Sequence, residues 1–199
     1  MKQLLLASRN PGKCREMRSL LQSLGVEIVD VIELGTKVRI DETGKTYAEN
    51  ASLKAGVFAE QLKIWTIGDD TGLEVDALEG APGLRSARLV GPGGLDVDHR
   101  KTLLSLLEPY PRPWTARFRC VVALAGPEGG IDLAEGVCEG EIIPDERGDG
   151  GFGYDPIFLV KGMDRTMAEI SPEEKNRVSH RARAVQALFP TLKMRLGVE

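Results

Sequence analysis

Four apolar residues at positions 4–7, Leu-Leu-Leu-Ala, stop abruptly at Ser8-Arg9-Asn10-Pro11-Gly12, and this junction constrains the fold more than any other stretch. A short, wholly apolar run is what a strand covered on both faces looks like, as in parallel sheets. Asn10 before Pro11 reads as a helix start, because asparagine caps free N–H groups and proline at the first helical position has none to lose. Cys14, Met17, Leu20, Leu21 and Leu24 then recur at helical spacing as far as Gly25. The pattern repeats. Residues 26–32 read as a second strand, and Thr46-Tyr47-Ala48-Glu49 as a capping-box sequence before a helix carrying Ala51, Ala55, Phe58, Ala59 and Leu62. Residues 64–67 enter a third strand that is expected to stop at Gly68-Asp69-Asp70-Thr71-Gly72. The first third is therefore β-α-β-α-β, and the fold class is α/β.

Beyond it, residues 80–94 are rich in Gly and Pro, 95–107 look helical, and Pro109, Pro111 and Pro113 close that segment. Residues 116–125 and 131–142 flank Gly126-Pro127-Glu128-Gly129-Gly130 and form a predicted antiparallel hairpin. A glycine cluster at 148–153 precedes a strand at 157–160, and Ser171-Pro172-Glu173-Glu174 is another helix start. No internal repeat and no linker-like segment breaks the chain, so residues 1–199 read as one domain.

Composition excludes several classes. With 42% hydrophobic and 28% charged residues the chain has the make-up of a globular domain rather than a disordered or fibrous one. A net charge of −4 gives no overall field toward nucleic acid or an anionic membrane, so any polyanion must be held by a local cluster of Lys and Arg. Cys14, Cys120 and Cys138 are odd in number and contain no CxxC, which argues against a disulfide framework or a zinc site and fits a reducing cytoplasm. The apolar start is too short for a signal peptide, and no stretch approaches the roughly 20 apolar residues of a membrane helix.

Four segments could carry chemistry. Residues 8–13 place a helix N-terminus, two polar side chains and Lys13 together, a natural phosphate site, although the spacing is not that of a P-loop. The bland alternative is an ordinary cap with a solvated lysine. Asp69 and Asp70 stand beside a buried strand, where one of them, joined by Asp41 or Glu42, could hold Mg²⁺, a cation satisfied by one or two carboxylates plus water and phosphate. Neighbouring strand residues face opposite ways, so one of the pair is expected at the site. The glycine cluster offers close backbone approach, and Phe152 or Tyr154 could stack on a purine. Residues 175–183, Lys-Asn-Arg-Val-Ser-His-Arg-Ala-Arg, are basic; His180 and Arg181 can donate to a base carbonyl, against the plainer reading of a solvated helix face. His99 receives no role.

Taken together, LLLASRNPGK at 4–13, DETGKTYAENASLKA at 41–55, GDDTGLEVDAL at 68–78, GAPGLRSAR at 80–88, GGFGYDPIF at 150–158 and EKNRVSHRARA at 174–184 resemble the inosine triphosphate pyrophosphatase family. These dITP/XTP pyrophosphatases hydrolyse non-standard purine nucleoside triphosphates to monophosphate and pyrophosphate. The resemblance implies a long twisted mixed β-sheet with flanking helices forming two lobes around a substrate cleft, and a homodimer. It places Ser8, Arg9, Asn10, Pro11, Gly12 and Lys13 in a phosphate-binding loop with Lys54 as a further phosphate contact. Asp70 becomes the catalytic, Mg²⁺-bound acid. The second metal ligand falls on Asp41 or Glu42, with the spacing back from Gly44 favouring Asp41. Thr71, Phe152, Gly153, Tyr154, Asp155, Lys175, His180 and Arg181 match substrate contacts, most of them at the base.

Four positions depart from the family pattern: Arg9 and Ala182 where glycine is common, Thr71 for a frequent serine, and Asp149 beside the glycine loop. None removes a functional group. The implied selectivity follows from hydrogen bonding, since inosine and xanthosine present a 6-oxo acceptor to donors that would oppose the 6-amino group of adenine. Two rivals share part of the pattern. A Maf-like pyrophosphatase acting on modified or pyrimidine nucleotides would not need the Ser179-His180-Arg181 block, and a non-enzymatic nucleotide binder would not need the aspartates.

Overall fold

The computed structural model describes residues 2–91 and 93–198. Seven strands, β1 (Gln3–Leu6), β2 (Glu27–Asp30), β3 (Trp65–Val75), β4 (Pro82–Gly83), β5 (Trp114–Ala125), β6 (Ile131–Ile142) and β7 (Phe158–Val160), form one sheet. Its order is β2-β1-β3-β5-β6-β7, with β4 on β3. β1 runs parallel to β2 and β3, whereas β4 and β7 are antiparallel to their neighbours, so the sheet is mixed. The helices are α1 (Pro11–Leu21), α2 (Tyr47–Leu62), α3 (Asp96–Leu107), α4 (Pro172–Val178) and α5 (His180–Leu196). The α/β class expected from the sequence holds, and β5 and β6 are the strands of the expected hairpin, joined by a turn in which the Gly129 N–H donates to the Gly126 carbonyl at 3.1 Å.

Local signals form the ends of these elements. Asn10 caps α1 by accepting from the Lys13 N–H at 3.1 Å, with Pro11 in the first turn. Ser171 and Glu174 close a complete capping box on α4. Thr46 caps α2, but the Glu49 carboxylate accepts from the Lys45 N–H, one residue earlier than a capping box requires.

The third strand is the main departure from expectation. It does not stop at Gly68 but runs on through both aspartates to Val75. Gly68 is not a turn residue. A Cβ there would lie 2.8 Å from the Ala51 carbonyl and 3.0 Å from the Ala55 nitrogen, so the glycine lets α2 lie close against β3.

The chain divides into two compact units. The first comprises the chain up to Asp70, Cys120–Gly136 and the chain from His180 onward. In it both faces of the sheet are covered. Leu4, Leu6, Ile67, Cys120, Val122 and Leu124 pack with Met17 and Leu21 of α1 and Val185, Leu188 and Leu192 of α5. The alternating residues go the other way: Leu5 and Ala7 pack with Phe58, and Val121, Ala123 and Ala125 with Ala51, Ala55 and Ala59 of α2. The second unit, Thr71–Arg119 and Val137–Ser179, has its own core, where Leu103 and Leu107 of α3 pack with Leu73, Trp114, Phe118, Ile142 and Phe158. All three cysteines are buried and free. Among the described residues no helix is long and apolar enough to cross a membrane.

Candidate active site

In the first unit β3 delivers Asp69 and Asp70 to opposite sides of the sheet. Asp70 faces α2, where Asn50 and Lys54, one helical turn apart, meet it: the Asn50 Nδ2 donates to Oδ2 at 3.2 Å and the Lys54 Nζ to Oδ1 at 3.0 Å. The same ammonium reaches Glu42 Oε1 at 2.9 Å, so two carboxylates converge on one cation. Burial works against the Lys54 charge, but Asp69, Asp70 and Glu42 outweigh it and raise its pKa above the usual lysine value. The loop carrying Glu42 is tied down by Gly44, whose N–H donates to Asn50 Oδ1 at 2.8 Å. A Cβ at Gly44 would fall 2.6 Å from that oxygen.

Asp69 faces α1 and α5. Its Oδ2 accepts from Lys13 Nζ at 2.9 Å and from Arg181 Nη2 at 3.2 Å, and Arg181 also pairs with Glu16 through Nη1. Burial by itself would raise the Asp69 carboxyl; Lys13, then Arg181 and Lys54, hold it far below the usual carboxylate range. Arg181, only 1% exposed, is kept charged by Asp69 and Glu16 despite its burial. Both aspartates are thus buried and paired, where one was expected at a site.

The predicted phosphate loop lies at the start of α1. Ser8 Oγ accepts from the Asn10 N–H at 3.2 Å, so the loop is organised by its own side chains. Of the first-turn donors, Pro11 has none and the Lys13 N–H is taken by Asn10, leaving the Gly12 N–H and the Lys13 side chain as the groups suited to an anion. Arg9 turns from the loop to donate to the carbonyls of Thr36 (2.9 Å) and Val38 (3.1 Å), beside a cavity of about 670 Å³ lined by Arg9, Thr36, Lys37, Arg39, Ile40 and Asp41. Asp41 is exposed there, and it is Glu42 that meets Lys54.

The second unit holds the other predicted contacts. Asp155 Oδ2 accepts from the Phe152 N–H at 2.8 Å and from Lys175 Nζ at 2.6 Å, a buried pair, and that ammonium lies 5.2 Å from the centre of the Phe152 ring. Gly153 is fixed on both sides, its N–H donating to Asp96 at 2.7 Å and its carbonyl accepting from Arg100 at 2.9 Å. Tyr154 is buried, its hydroxyl donating to the Ser86 carbonyl at 2.8 Å and its ring edge-on to His99, so of the two aromatic residues Phe152 is the less buried. Burial pushes the Tyr154 phenol well up, with Asp96 adding to it. Thr71, half-buried, follows Asp70 on β3; His180 is buried at the start of α5.

Asn50 and Glu16 were not singled out in the sequence. Asn50 had a legible signal, its four-residue spacing from Lys54; Glu16 had none, since its partner lies at the other end of the chain. A second cavity, about 530 Å³ beside Arg117, Glu139 and Lys161, contains none of the predicted residues.

Among the described residues no three His, Cys, Asp or Glu side chains gather as a metal site. The donor set nevertheless fits Mg²⁺, which takes one or two carboxylates and fills its remaining positions with water and phosphate oxygens. Glu42 and Asp70, already disposed about a cationic nitrogen, supply two.

The sequence pattern of the Ham1 family matches residues 4–191. This chain belongs to the Ham1 family. The chain is 46% identical over 190 residues to the dITP/XTP pyrophosphatase of Desulforamulus reducens, covering 95% of this chain and 94% of that one. It is 42% identical over 193 residues to the Bacillus subtilis protein of the same name, with 96% and 98% covered. Among solved structures, a HAM1 protein from Coxiella burnetii superposes with a TM-score of 0.87 at 39% identity, covering 98% of this chain and 100% of that one.

Proposed function

We propose that this chain is a nucleoside triphosphate pyrophosphatase that hydrolyses ITP, dITP and XTP to the monophosphate and pyrophosphate, removing deaminated purines from the nucleotide pool. The names of its relatives support this reaction, and one observation carries it: the Lys54 ammonium held between the buried carboxylate of Asp70 and that of Glu42. That is how a chain equipped to handle a polyphosphate and its metal would look, with carboxylates for the metal and a cation for the phosphates. Nothing favours a Maf-like activity.

In this proposal Lys13, the Gly12 N–H and Lys54 bind the triphosphate and spread its charge. Asp70 orients the attacking water and accepts its proton at a carboxylate oxygen. Mg²⁺ bound to Asp70 and Glu42 would neutralise charge on the phosphate oxygens and the leaving pyrophosphate. For base recognition the proposal assigns Phe152 as a stacking ring and Lys175, fixed by Asp155, as a donor suited to a 6-oxo group and opposed to a 6-amino group. The proposal includes a homodimer, which light scattering tests, and a cytoplasmic setting.

Pyrophosphate release from ITP, XTP, dITP, GTP and ATP, each with Mg²⁺ and with excess chelator, tests the reading. Metal-dependent release from the first three and little from ATP or GTP is expected; against ATP a mispaired buried donor can discriminate by as much as about 10⁴. Release of inorganic phosphate, or equal rates on ATP, would overturn it. The same assay assigns the second carboxylate. Glu42→Gln is expected to lower kcat/KM about 100-fold, on the scale of a lost transition-state contact. Asp41→Asn, exposed and away from Lys54, should stay within about twofold of wild type. The reverse ranking would return the metal to Asp41.

A further inference from the structure

Phe152, the ring assigned above to stack on the base, stands between two glycines in left-handed backbone, Gly151 at φ +73° and Gly153 at φ +63°. Glycine loses more conformational freedom on ordering than any other residue, so a ring carried between two of them keeps one pose only if the backbone is tied. The ties on its two sides differ in origin. The Phe152 N–H donates to Asp155, three residues along the same loop. The chain that follows is held from outside the loop: the Gly153 N–H donates to Asp96 Oδ2 at 2.7 Å, and the Gly153 carbonyl accepts from Arg100 Nη1 at 2.9 Å. These two side chains lie one helical turn apart at the start of α3. Arg100 is itself fixed by Glu146, whose carboxylate takes its Nε and Nη2 at 2.9 Å each, the two-pronged geometry that suits a guanidinium. α3 has no side-chain cap, its N-cap being Leu95, so the Asp96 carboxylate is given to the loop rather than to the N–H groups of its own helix.

We propose that Asp96 and Arg100 are positioning residues for base recognition: from α3 they hold Gly153 by its N–H and its carbonyl, and so fix the backbone that presents the Phe152 ring beside Lys175. The need for both is specific. The N–H belongs to the peptide that joins Phe152 to Gly153, and the carbonyl to the peptide that joins Gly153 to Tyr154. Rotation of either would give up one charge-assisted hydrogen bond, so an acceptor and a donor together stop the hinge that a glycine would otherwise be. A loop fixed in this way before the nucleotide arrives pays no ordering entropy when the base stacks, which strengthens binding without either side chain touching the substrate. The clamp, the loop and Lys175 all belong to the second unit, so the phosphate contacts proposed for Lys13 and Lys54 do not depend on it. This inference deepens the reading above and rests on Phe152 and Lys175 lying at the base.

The test is calorimetric binding of two probes, inosine monophosphate and inorganic pyrophosphate, to Asp96→Ala, Phe152→Ala and the double variant. Asp96→Ala is expected to weaken inosine monophosphate roughly 10-fold, the scale of one charge-assisted hydrogen bond, and to leave pyrophosphate within about twofold of wild type. In the Phe152→Ala background the same change should cost less than about threefold on inosine monophosphate, because the ring it positions is gone. Asp96→Asn keeps an oxygen for the Gly153 N–H and should recover most of the loss. An unchanged affinity in Asp96→Ala, equal losses on both probes, no recovery with Asn, or losses that multiply in the double variant would each overturn the proposal. Should Asp96→Ala fail to fold, Arg100→Met takes its place in the cycle, keeping the apolar stem and removing the donors, with the same split between probes and the same non-additivity expected. Failure of the proposed function is read separately. A wild-type protein that binds inosine monophosphate but releases no pyrophosphate from ITP would refute the reaction, and the cycle would still decide the positioning role. One that binds pyrophosphate but not inosine monophosphate would overturn the base site and this inference with it.

Discussion

Asp70→Asn is expected to fold and to release pyrophosphate from ITP on the order of 10³-fold more slowly than wild type. The amide has the shape of the carboxylate and keeps an oxygen for the Asn50 donor, while Lys54 retains Glu42 as a partner. What is lost is charge: the amide neither accepts a proton from water nor offers an anionic ligand to a divalent cation. The deficit should therefore fall on kcat. Single-turnover kinetics with thermal unfolding of the same sample checks this, and a variant with a tenth of wild-type kcat would remove Asp70 from the chemistry.

Lys54→Met should do comparable damage by the opposite route, and it should also cost stability. Lys54 is 9% exposed and is the cation shared by Asp70 and Glu42, with Asp69 also within its field. Removing one partner from a buried ionic cluster costs about 3–5 kcal/mol because the other charges remain. The loss here belongs at the lower end, since the Glu42 side chain keeps 29% of its exposure and Asn50 still donates to Asp70. Activity should fall at least about 100-fold, as when a group that stabilises charge in the transition state is removed. Denaturant unfolding and kcat/KM check both halves, and Lys54→Arg should recover stability better than activity. A Met variant as stable as wild type would mean that the carboxylates do not depend on the ammonium.

Where the determinants are local, the sequence was legible. Asn10 with Pro11 and Ser171 with Pro172 and Glu174 contain their own hydrogen-bond partners within three residues, and they cap α1 and α4 as expected. The unbroken apolar run from Leu4 to Ala7 correctly implied cover on both faces. Gly68 misled because its reason lies across space: a glycine that admits a helix backbone looks, in one dimension, like a glycine that ends a strand. The choice between Asp41 and Glu42 depends on the path of an irregular loop, which periodicity does not describe. Arg181 read as a donor to a base carbonyl within a basic run; only the fold brings Glu16 and Asp69 around it. Tyr154 shared the glycine loop with Phe152, yet its hydroxyl is committed to Ser86 and its ring to the core.

The passage of β3 through the aspartate pair has a consequence for how this chain can change in length. Asp69 and Asp70 are chemically identical, and only the two-residue alternation of the strand sends one to Lys13 and Arg181 and the other to Asn50 and Lys54. Deleting or inserting a single residue in β3 ahead of them would turn each to the opposite face, so that one aspartate takes its neighbour's place and the other is carried away from both sets of partners. The segment is thus intolerant of indels in a way that no residue count reveals, whereas the five-residue turn between β5 and β6 can lengthen without reassigning any charge.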